Sequence, residues 1–242
     1  MKQSVLEFGN SIVRFFHIKS LFRPLYYKFF KSKQIEEQRV LFVNHAHDAL
    51  RCFDECMRQA NIHYSLAFGT MLGAVREHGF IRHDIDIDTM MWFDEYSESL
   101  PSLLEKRGFR QIHSFLVDGG KLGREDTYEY MGVQIDIFYI YPPVMQLPYC
   151  CDFLQRDCLT FDACISKYGS LLPRRIELPF NREIKYTQFE NMVLPVPSNA
   201  EEILAYRYGP DYMTPNPNWG VQSYNEHIIE WPEKAGILIN YI

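Results

Sequence analysis

The sequence predicts an α/β fold in which a mixed sheet is flanked by helices, and three observations support this class. Residues 84–88 alternate aspartate and isoleucine, which is typical of a strand with one polar and one apolar face. An apolar run at residues 66–68 meets a Gly-Thr pair and then a helix-like stretch. Helix-like and strand-like segments continue to alternate along the chain. The 242 residues, of which 47% are hydrophobic, suffice for one sizeable core.

Helices and strands alternate in the predicted first half of the chain. Thr70 is expected to cap the short helix that follows Gly69, and Gly108 is expected to end the next helix. Gly79 turns the chain into the acidic strand. The elements predicted here are helix 35–60, strand 64–68, helix 70–77, strand 84–92 and helix 97–107.

Strands prevail in the predicted second half. Turn signals at residues 118–120 and at Gly132 separate three of them, and Ser198–Glu201 reads as a capping box before a helix that ends at Gly209. The residues after about 219 carry no firm signal. The elements predicted here are strands 109–117, 123–130 and 133–141, helices around 151–168, a hairpin of 184–190 with 192–196, and a helix ending at 209.

Three aspartates, Asp84, Asp86 and Asp88, line one face of the predicted acidic strand. Neighbours two residues apart are roughly 6.6 Å from each other, so each pair repels by about 2.5 kcal/mol at an effective dielectric near 20. A divalent cation would remove this repulsion, and oxygen-only ligands favour Mg²⁺ or Mn²⁺. Two such ions about 3.5 to 4 Å apart would serve phosphoryl or nucleotidyl transfer. The alternative is a solvated edge strand on which charge prevents unwanted pairing.

The turn between strand and helix upstream of the aspartates predicts contacts with phosphate. Gly69 permits close approach of the backbone, and the free amides at the helix start, together with Thr70, attract phosphate. Arg76 lies about two turns along the helix and offers a planar fork to a phosphate oxygen. Lys121 and Arg124 are further candidates for phosphate clamps. The alternatives are ordinary turn chemistry for the Gly-Thr pair and solvated surface charge for the two later cations.

Several short motifs, taken together and in this order, resemble the LicD family, which includes the fukutin-related proteins. The motifs are Gly69–Arg76, Gly79–Ile81, Asp84–Asp88, Val133–Phe138, Val193–Pro197 and Tyr208–Met213. The likeness covers roughly residues 40–215. It implies a nucleotidyltransferase-like fold and a metal-dependent transferase that moves a phosphorylated alcohol from a cytidine diphosphate (CDP) carrier to a glycan. Phosphocholine and ribitol phosphate are the alcohols that the resemblance suggests, in cell-surface polysaccharide or lipopolysaccharide biosynthesis.

The resemblance also suggests roles for three carboxylates. Asp86 and Asp88 are expected to hold one or two Mg²⁺ ions, or Mn²⁺, on the donor diphosphate. Asp136 matches the family's third acidic residue, and we expect it to complete the metal site and to act as general base toward an acceptor hydroxyl. Strand alternation places Asp136 on the same face as Gln134 and Phe138. A lone aspartate near a strand edge is the alternative.

The chain departs from the family pattern in two places. Members commonly have Pro-Trp before the acidic run and a further aspartate inside it, where this chain has Arg82, His83 and Ile85. Asp86 and Asp88 are retained, so the departures bear on donor or acceptor preference. Two other functions stay open: a nucleotidyltransferase that attaches a nucleoside monophosphate to a small molecule or protein, and a noncatalytic module that binds sugar phosphates. The retained aspartates argue against the last.

Residues 1–34 are predicted to be a basic, aromatic, amphipathic arm ahead of a single catalytic domain, 35–242. The arm holds seven Lys and Arg and one Glu, so its charge is +6. Because the net charge of the chain is −6, the remainder carries −12. This composition suits the surface of an anionic membrane, and packing on the domain itself is the alternative. Cations interrupt every apolar run that could span a bilayer. The modest net charge argues against general nucleic-acid binding.

Six cysteines in a chain without a recognisable secretory segment favour reduced thiols. We therefore expect a cytoplasmic protein, with peripheral contact at the inner face of the cytoplasmic membrane through the arm. Cys52 and Cys56 fit core packing on a helix. Zinc binding by Cys150 or Cys151 with two later cysteines is a weaker hypothesis, because the spacing lacks a Cys-x-x-Cys knuckle.

Overall fold

The computed structural model of the chain describes residues 35–158, 160–216 and 226–241. The predicted arm, 1–34, and its membrane contact therefore lie outside the described residues. The strands are β1 Ser65–Leu66, β2 Asp86–Trp92, β3 Arg110–Val117, β4 Gly123–Tyr130, β5 Val133–Ile140, β6 Tyr149–Leu154, β7 Leu172–Glu177, β8 Ile184–Phe189, β9 Met192–Pro197, β10 Ile228–Glu230 and β11 Gly236–Asn240. The helices are α1 35–60, α2 Phe68–Arg76, α3 Leu100–Glu105, α4 Phe161–Tyr168 and α5 Ala200–Tyr208.

A six-stranded mixed sheet forms the centre of the fold, with the strand order β1-β2-β5-β4-β3-β11. Strands β2 and β5 run parallel, and the other neighbours in this sheet are antiparallel. The sheet is accompanied by a three-stranded sheet, β10-β7-β6, and by the β8–β9 hairpin. The predicted α/β (α+β) class with a mixed sheet flanked by helices is confirmed.

The core of the domain lies between the apolar side of the central sheet and helix α1. The isoleucines of β2 and β5 alternate with the acidic positions and are fully buried, as alternation requires. Helix α1 buries residues at three- and four-residue spacing, the pattern of an amphipathic helix. These helix residues are Phe42, Ala46, Ala49, Leu50, Phe53, Cys56 and Met57. The acidic side of β2 therefore faces away from this layer.

The second sheet lies close to the start of β4. A Cβ added at Gly123 would be only 2.5 Å from the Cys151 sulfur on β6, so no larger residue fits without movement. The Cys151 thiol also lies 3.8 Å from the Leu122 carbonyl oxygen, which it faces as a weak donor. Because Gly123 alternates onto the same side of β4 as Thr127, β6 stands beside the acidic face of the central sheet.

Two predicted boundaries near the acidic motif are wrong. Helix α2 begins at Phe68, with Ala67 at its N-cap and Thr70 already inside the helix, so Thr70 is not the cap. Strand β2 begins at Asp86, whereas Asp84 lies in the preceding turn, where its carboxylate accepts the Ile81 amide over 3.1 Å. This local hydrogen bond competes with extension of the strand.

The helix predicted from about residue 151 is also wrong at its start, because residues 149–154 form strand β6. Only Phe161–Tyr168 is helical there, with the Thr160 hydroxyl accepting the Ala163 amide as cap. Strands β7, β10 and β11 were not predicted. These strands have three to six residues and pair with partners distant in sequence, and such pairing leaves no local signal.

The hairpin predicted around residue 191 is confirmed as β8–β9. Helix α5 is confirmed too, although its N-terminus differs from the predicted capping box. Asn199, not Ser198, occupies the N-cap, and its amide group donates to Glu202 and to the Pro179 carbonyl, both over 2.8 Å. Within the described residues, no helix is long and apolar enough to cross a membrane.

Candidate active site

The carboxylates of the site come from the parallel pair of strands at the centre of the sheet. Asp88 on β2 and Asp136 on β5 are direct partners in the register, and Asp86 is the partner of Gln134. Because alternate residues share a face, Asp86, Asp88 and Asp136 all lie on the side of the sheet opposite the buried isoleucines. The structure thus brings together the three aspartates that the sequence singled out.

Helix α2 is attached to the middle of this site through Asp88. The Gly69 amide donates to Oδ2 of Asp88 over 3.1 Å, and the Asp88 amide donates to the Thr70 hydroxyl over 2.9 Å. The Ala67 amide donates to the Asp88 carbonyl over 3.0 Å. These bonds fix the first turn of α2 to the strand. Thr70 is 1% exposed, so its hydroxyl anchors Asp88 and does not face a ligand.

Gly69 lies between two carboxylates. A Cβ added there would be 3.4 Å from Oδ2 of Asp88 and 3.6 Å from Oδ1 of Asp84. Asp84 therefore belongs to the same group of carboxylates, although it lies outside the strand. Phe68, directly before Gly69, has a φ of 36°, an uncommon value for a residue with a side chain. The turn is strained where it brings the backbone against the acids.

The carboxylates share a poorly solvated environment that disfavours their charge. Burial raises the pKa of Asp84 to about 7, and burial also raises the pKa of Asp86. Burial and then the charges of Asp86 and Asp136 raise the pKa of Asp88 well above its usual value. Burial raises the pKa of Asp136 to about 7, although its hydrogen bond with Thr127 opposes the shift. Without a cation, the group resists full ionisation.

Thr127 is a part of the site that the sequence analysis missed. It lies on β4 as the direct partner of Asp136, and its hydroxyl donates to Oδ1 of that aspartate over 2.5 Å. The Thr89 hydroxyl donates to the Asp136 carbonyl over 2.9 Å. Only the register of β4 against β5 shows that Thr127 faces Asp136. The sequence predicted strand 123–130 but did not indicate which strand it pairs with.

Glu125 was also missed and lies on the acidic face of β4. Its register partner on β5 is Phe138, two residues beyond Asp136. Burial raises the pKa of Glu125 well above its usual value, and the charges of Asp136, Asp152 and Asp88 raise it further. The acidic face therefore extends onto β4, beyond the aspartates that the sequence indicated.

Arg76 and Tyr208 border the site on its helical side. The Arg76 guanidinium donates to Glu77 over 2.7 Å and to the Tyr212 carbonyl over 3.3 Å, so it links α2 to the segment after α5. Its positive charge counteracts the raised pKa of Asp84. Burial and then the charge of Asp88 raise the pKa of Tyr208, which places that phenol in the field of the carboxylates.

The structure does not bring the two remaining predicted phosphate clamps to the carboxylates. Arg124 alternates onto the opposite face of β4, where its Nε donates to buried Asp126 over 2.8 Å and its guanidinium lies 4.0 Å from the Tyr96 ring centre. Its role is to neutralise Asp126, which also accepts from Ser114 and Tyr139. Lys121 is exposed and lies beyond the end of β4 that is farther from Thr127.

The donor set fits a hard divalent cation by its chemistry, because it consists of carboxylate oxygens whose mutual repulsion a bound cation would relieve. In their present positions, however, no three Asp, Glu, His or Cys side chains of the described residues form a group that could hold a metal. The aspartates would have to turn toward one another to share an ion. All six cysteines are free thiols. Among the described residues they form no group that could hold zinc, so the structure does not support the zinc hypothesis.

A mixed sheet with acidic side chains on two central strands and a helix starting beside them fits the nucleotidyltransferase-like fold that the resemblance of the sequence motifs implied. A family model described as LicD/FKTN/FKRP, nucleotidyltransferase domain, matches residues 61–199, more than half of the chain. The chain therefore belongs to the LicD family. The matched range includes α2, β2, β4 and β5, and it contains Asp84, Asp86, Asp88 and Asp136.

A curated relative adds a named activity. The chain is 39% identical over 66 residues to the lipopolysaccharide cholinephosphotransferase LicD of Haemophilus influenzae. That match covers 27% of this chain and 23% of the relative, so the chain aligns with about a quarter of the relative's length. Together, the family and this relative support a transferase with a phosphotransferase-type role.

Proposed function

We propose that the protein transfers a phosphorylated alcohol, such as phosphocholine, from a CDP-linked donor to a hydroxyl of a glycan. The observation that carries this proposal is the direct pairing of Asp88 with Asp136, beside the amide of Gly69. The relative named a cholinephosphotransferase supports the phosphocholine example. The acceptor is a glycan or lipid-linked glycan of cell-surface polysaccharide or lipopolysaccharide.

Asp86, Asp88 and Asp136 would hold Mg²⁺ or Mn²⁺, which when bound supplies positive charge that neutralises the donor diphosphate and the leaving cytidine monophosphate. Asp136 accepts the proton of the acceptor hydroxyl as that oxygen attacks phosphorus. The hydrogen bond with the Thr127 hydroxyl favours the ionised form of Asp136, which is the form that a general base requires. The Thr127 hydroxyl holds Asp136 in a single orientation for this transfer.

Two residues of α2 serve the donor phosphates in this proposal. Gly69 leaves the space between Asp84 and Asp88 free of a side chain, which lets a phosphate approach the backbone. Arg76 contributes positive charge at the edge of the carboxylates. Thr70, which the sequence suggested as a phosphate ligand, acts instead through its bond with the Asp88 amide.

The reaction would take place in the cytoplasm, where CDP-alcohols are the expected partners and nucleic acids are not. Residues 1–34 would bring the domain to the inner face of the cytoplasmic membrane, where a lipid-linked acceptor is available. The charge of +6 on the arm against −12 on the remainder supports this arrangement.

Product analysis tests the proposal. The full chain is incubated with CDP-choline, Mg²⁺ and candidate glycans, and in parallel with nucleoside triphosphates. We expect cytidine monophosphate and a phosphocholine-bearing glycan, with no product when EDTA replaces Mg²⁺. Pyrophosphate release from a triphosphate would instead identify a nucleotidyltransferase.

Two variants locate the activity. Asp88→Asn should lower turnover by at least about 1,000-fold, because an amide cannot replace a carboxylate toward a cation or a developing charge. Asp162→Asn on α4, an exposed acid in the first turn of that helix, is the control and should retain activity. Turnover of Asp88→Asn at the wild-type rate would refute the site.

A further inference from the structure

Glu125 lies next to the proposed site without belonging to the group of aspartates. On the β4–β5 pair, Thr127 faces Asp136 and Glu125 faces Phe138, so Glu125 is the diagonal neighbour of Asp136 on the same face. Diagonal neighbours of this kind have Cα atoms about 7–8 Å apart. A ligand group held at Asp136 would therefore place its adjoining atoms within reach of Glu125.

Among the described residues, the Glu125 carboxylate has no partner for its charge. In the part of the chain that the structure describes, it makes neither a hydrogen bond nor an ion pair, although it is only partly exposed. The strongest charges acting on it, those of Asp136, Asp152 and Asp88, are all negative. Asp152 itself is paired with Arg174 over 2.9 and 2.5 Å. An ionised carboxylate in this position is costly, so the group either takes up a proton or gains from a cation that joins it.

Aromatic rings complete the surroundings of Glu125. Phe138 faces it directly across the strand pair and is partly exposed. Phe68 meets Phe138 edge to face, with ring centres 4.8 Å apart. Carboxylates and aromatic rings together attract ammonium groups, because the face of a ring carries partial negative charge, and quaternary ammonium ligands are often recognised in this way.

We propose that Glu125 selects donors whose alcohol carries a cationic nitrogen, by holding that ammonium group against Phe138 while the phosphate lies at the aspartates. Choline and ethanolamine fit, since each places its nitrogen a two-carbon link away from the phosphate oxygen. Neutral polyols such as ribitol do not supply the missing charge. The inference rests on the proposed function and adds a specificity residue to it, without a role for Glu125 in bond making.

The test compares two donors that differ only in the alcohol. Cytidine monophosphate release is measured with CDP-choline and with CDP-ribitol for the wild type, Glu125→Gln and Phe138→Leu. Glu129→Gln is the matched control, because Glu129 lies on the same strand and face but is paired with exposed Arg110 over 3.1 Å. Circular dichroism establishes that each variant is folded.

We expect Glu125→Gln to lower kcat/KM for CDP-choline by about 10- to 100-fold, chiefly through KM, and to leave CDP-ribitol unchanged. Phe138→Leu should also lower kcat/KM for CDP-choline, by a smaller factor, and leave kcat/KM for CDP-ribitol unchanged. Glu129→Gln should alter kcat/KM for neither donor. A wild type that prefers CDP-ribitol, or equal losses for both donors in Glu125→Gln, would overturn the proposal.

Calorimetric binding keeps this inference separate from the proposed function. If the wild type transfers neither alcohol, the proposed reaction fails, yet the binding of CDP-choline and CDP-ribitol can still be compared. Tighter binding of CDP-choline that disappears in Glu125→Gln would support the selection of a cation. Equal binding of the two donors by the wild type would overturn it.

Discussion

The Thr127 hydroxyl donates to Oδ1 of Asp136 over 2.5 Å across the antiparallel β4–β5 pair. Asp136 is at the same time the parallel partner of Asp88 on its other side. Asp136 thus lies between a hydroxyl that favours its charge and carboxylates that oppose it. The balance between these two influences decides when Asp136 can accept a proton.

Thr127→Val should lower kcat by about 10- to 100-fold, because Asp136 loses the hydrogen bond that orients it. The bond also favours the ionised carboxylate, so its loss should move the acidic limb of the pH–rate profile to higher pH. Steady-state kinetics across pH 5 to about 9 measures both effects. Thr187→Val on the β8–β9 hairpin is the control, and an unchanged profile for Thr127→Val would contradict this role.

In EDTA, the stability of the protein should fall as pH rises from about 4 to about 7. Asp84 and Asp136 have pKa values raised to about 7 in the folded state, so the folded chain binds more protons than the unfolded chain across this range. Stability is therefore greatest below the unfolded pKa and is lost as pH approaches the folded value. Urea unfolding at a series of pH values measures this decline.

Asp136→Asn isolates the contribution of one carboxylate to that decline. The amide does not titrate, so the free energy of unfolding of the variant should fall by about 2–4 kcal/mol less than that of the wild type between about pH 4 and about pH 7. If Mg²⁺ binds to the carboxylates, its addition should reduce the wild-type decline and leave the variant nearly unchanged. Parallel curves for the two proteins in EDTA would show that burial does not raise the pKa of Asp136.

Alanine at Gly69 and at Gly73 should have opposite effects. A Cβ at Gly73 would overlap the Gly79 carbonyl oxygen, so Gly73→Ala should lower the free energy of unfolding by about 1–3 kcal/mol. A Cβ at Gly69 meets only ordinary contacts with Asp84 and Asp88, so Gly69→Ala should fold normally but lose activity with the donor. Chemical denaturation and donor kinetics on both variants check this, and full activity of Gly69→Ala would count against phosphate approach there.

Arg124→Met should destabilise the protein by about 3–5 kcal/mol, because Asp126 would stay buried without its cation. The surviving folded protein should keep the wild-type KM for the donor, since Arg124 lies on the face opposite the carboxylates. Lys121→Ala, an exposed position, should change neither property. A raised KM with intact stability in Arg124→Met would restore the phosphate-clamp hypothesis that the geometry disfavours.

Local patterns were enough to predict the central strands. The alternation of aspartate and isoleucine in β2, and of polar and apolar residues in β5, placed Asp88 and Asp136 on definite faces. The hairpin around Asn191 followed from its turn signal in the same way. These predictions succeeded because each depends on residues that are neighbours in the chain.

Such local patterns do not predict contacts between segments that are distant in the sequence. Thr127 and Glu125 belong to the site only through the register of β4 against β5, and Tyr208 only through the packing of α5. Arg124 was a candidate phosphate clamp although it lies in the predicted strand 123–130, because the register of that strand against β5, which puts Arg124 on the face opposite Asp136, has no local signal. Strand β6 was mistaken for a helix because short apolar runs fit either structure.

The parallel pairing of β2 with β5 joins Asp88 to Asp136, which lies 48 positions further along the chain. Hairpins such as β3–β4 and β4–β5 need only short loops to close, whereas this pairing must wait for a long one. A partly folded chain would thus possess much of its sheet and none of its affinity for donor. Recovery of nucleotide binding during refolding would report the last step of assembly, and it would follow the spectroscopic signal from secondary structure.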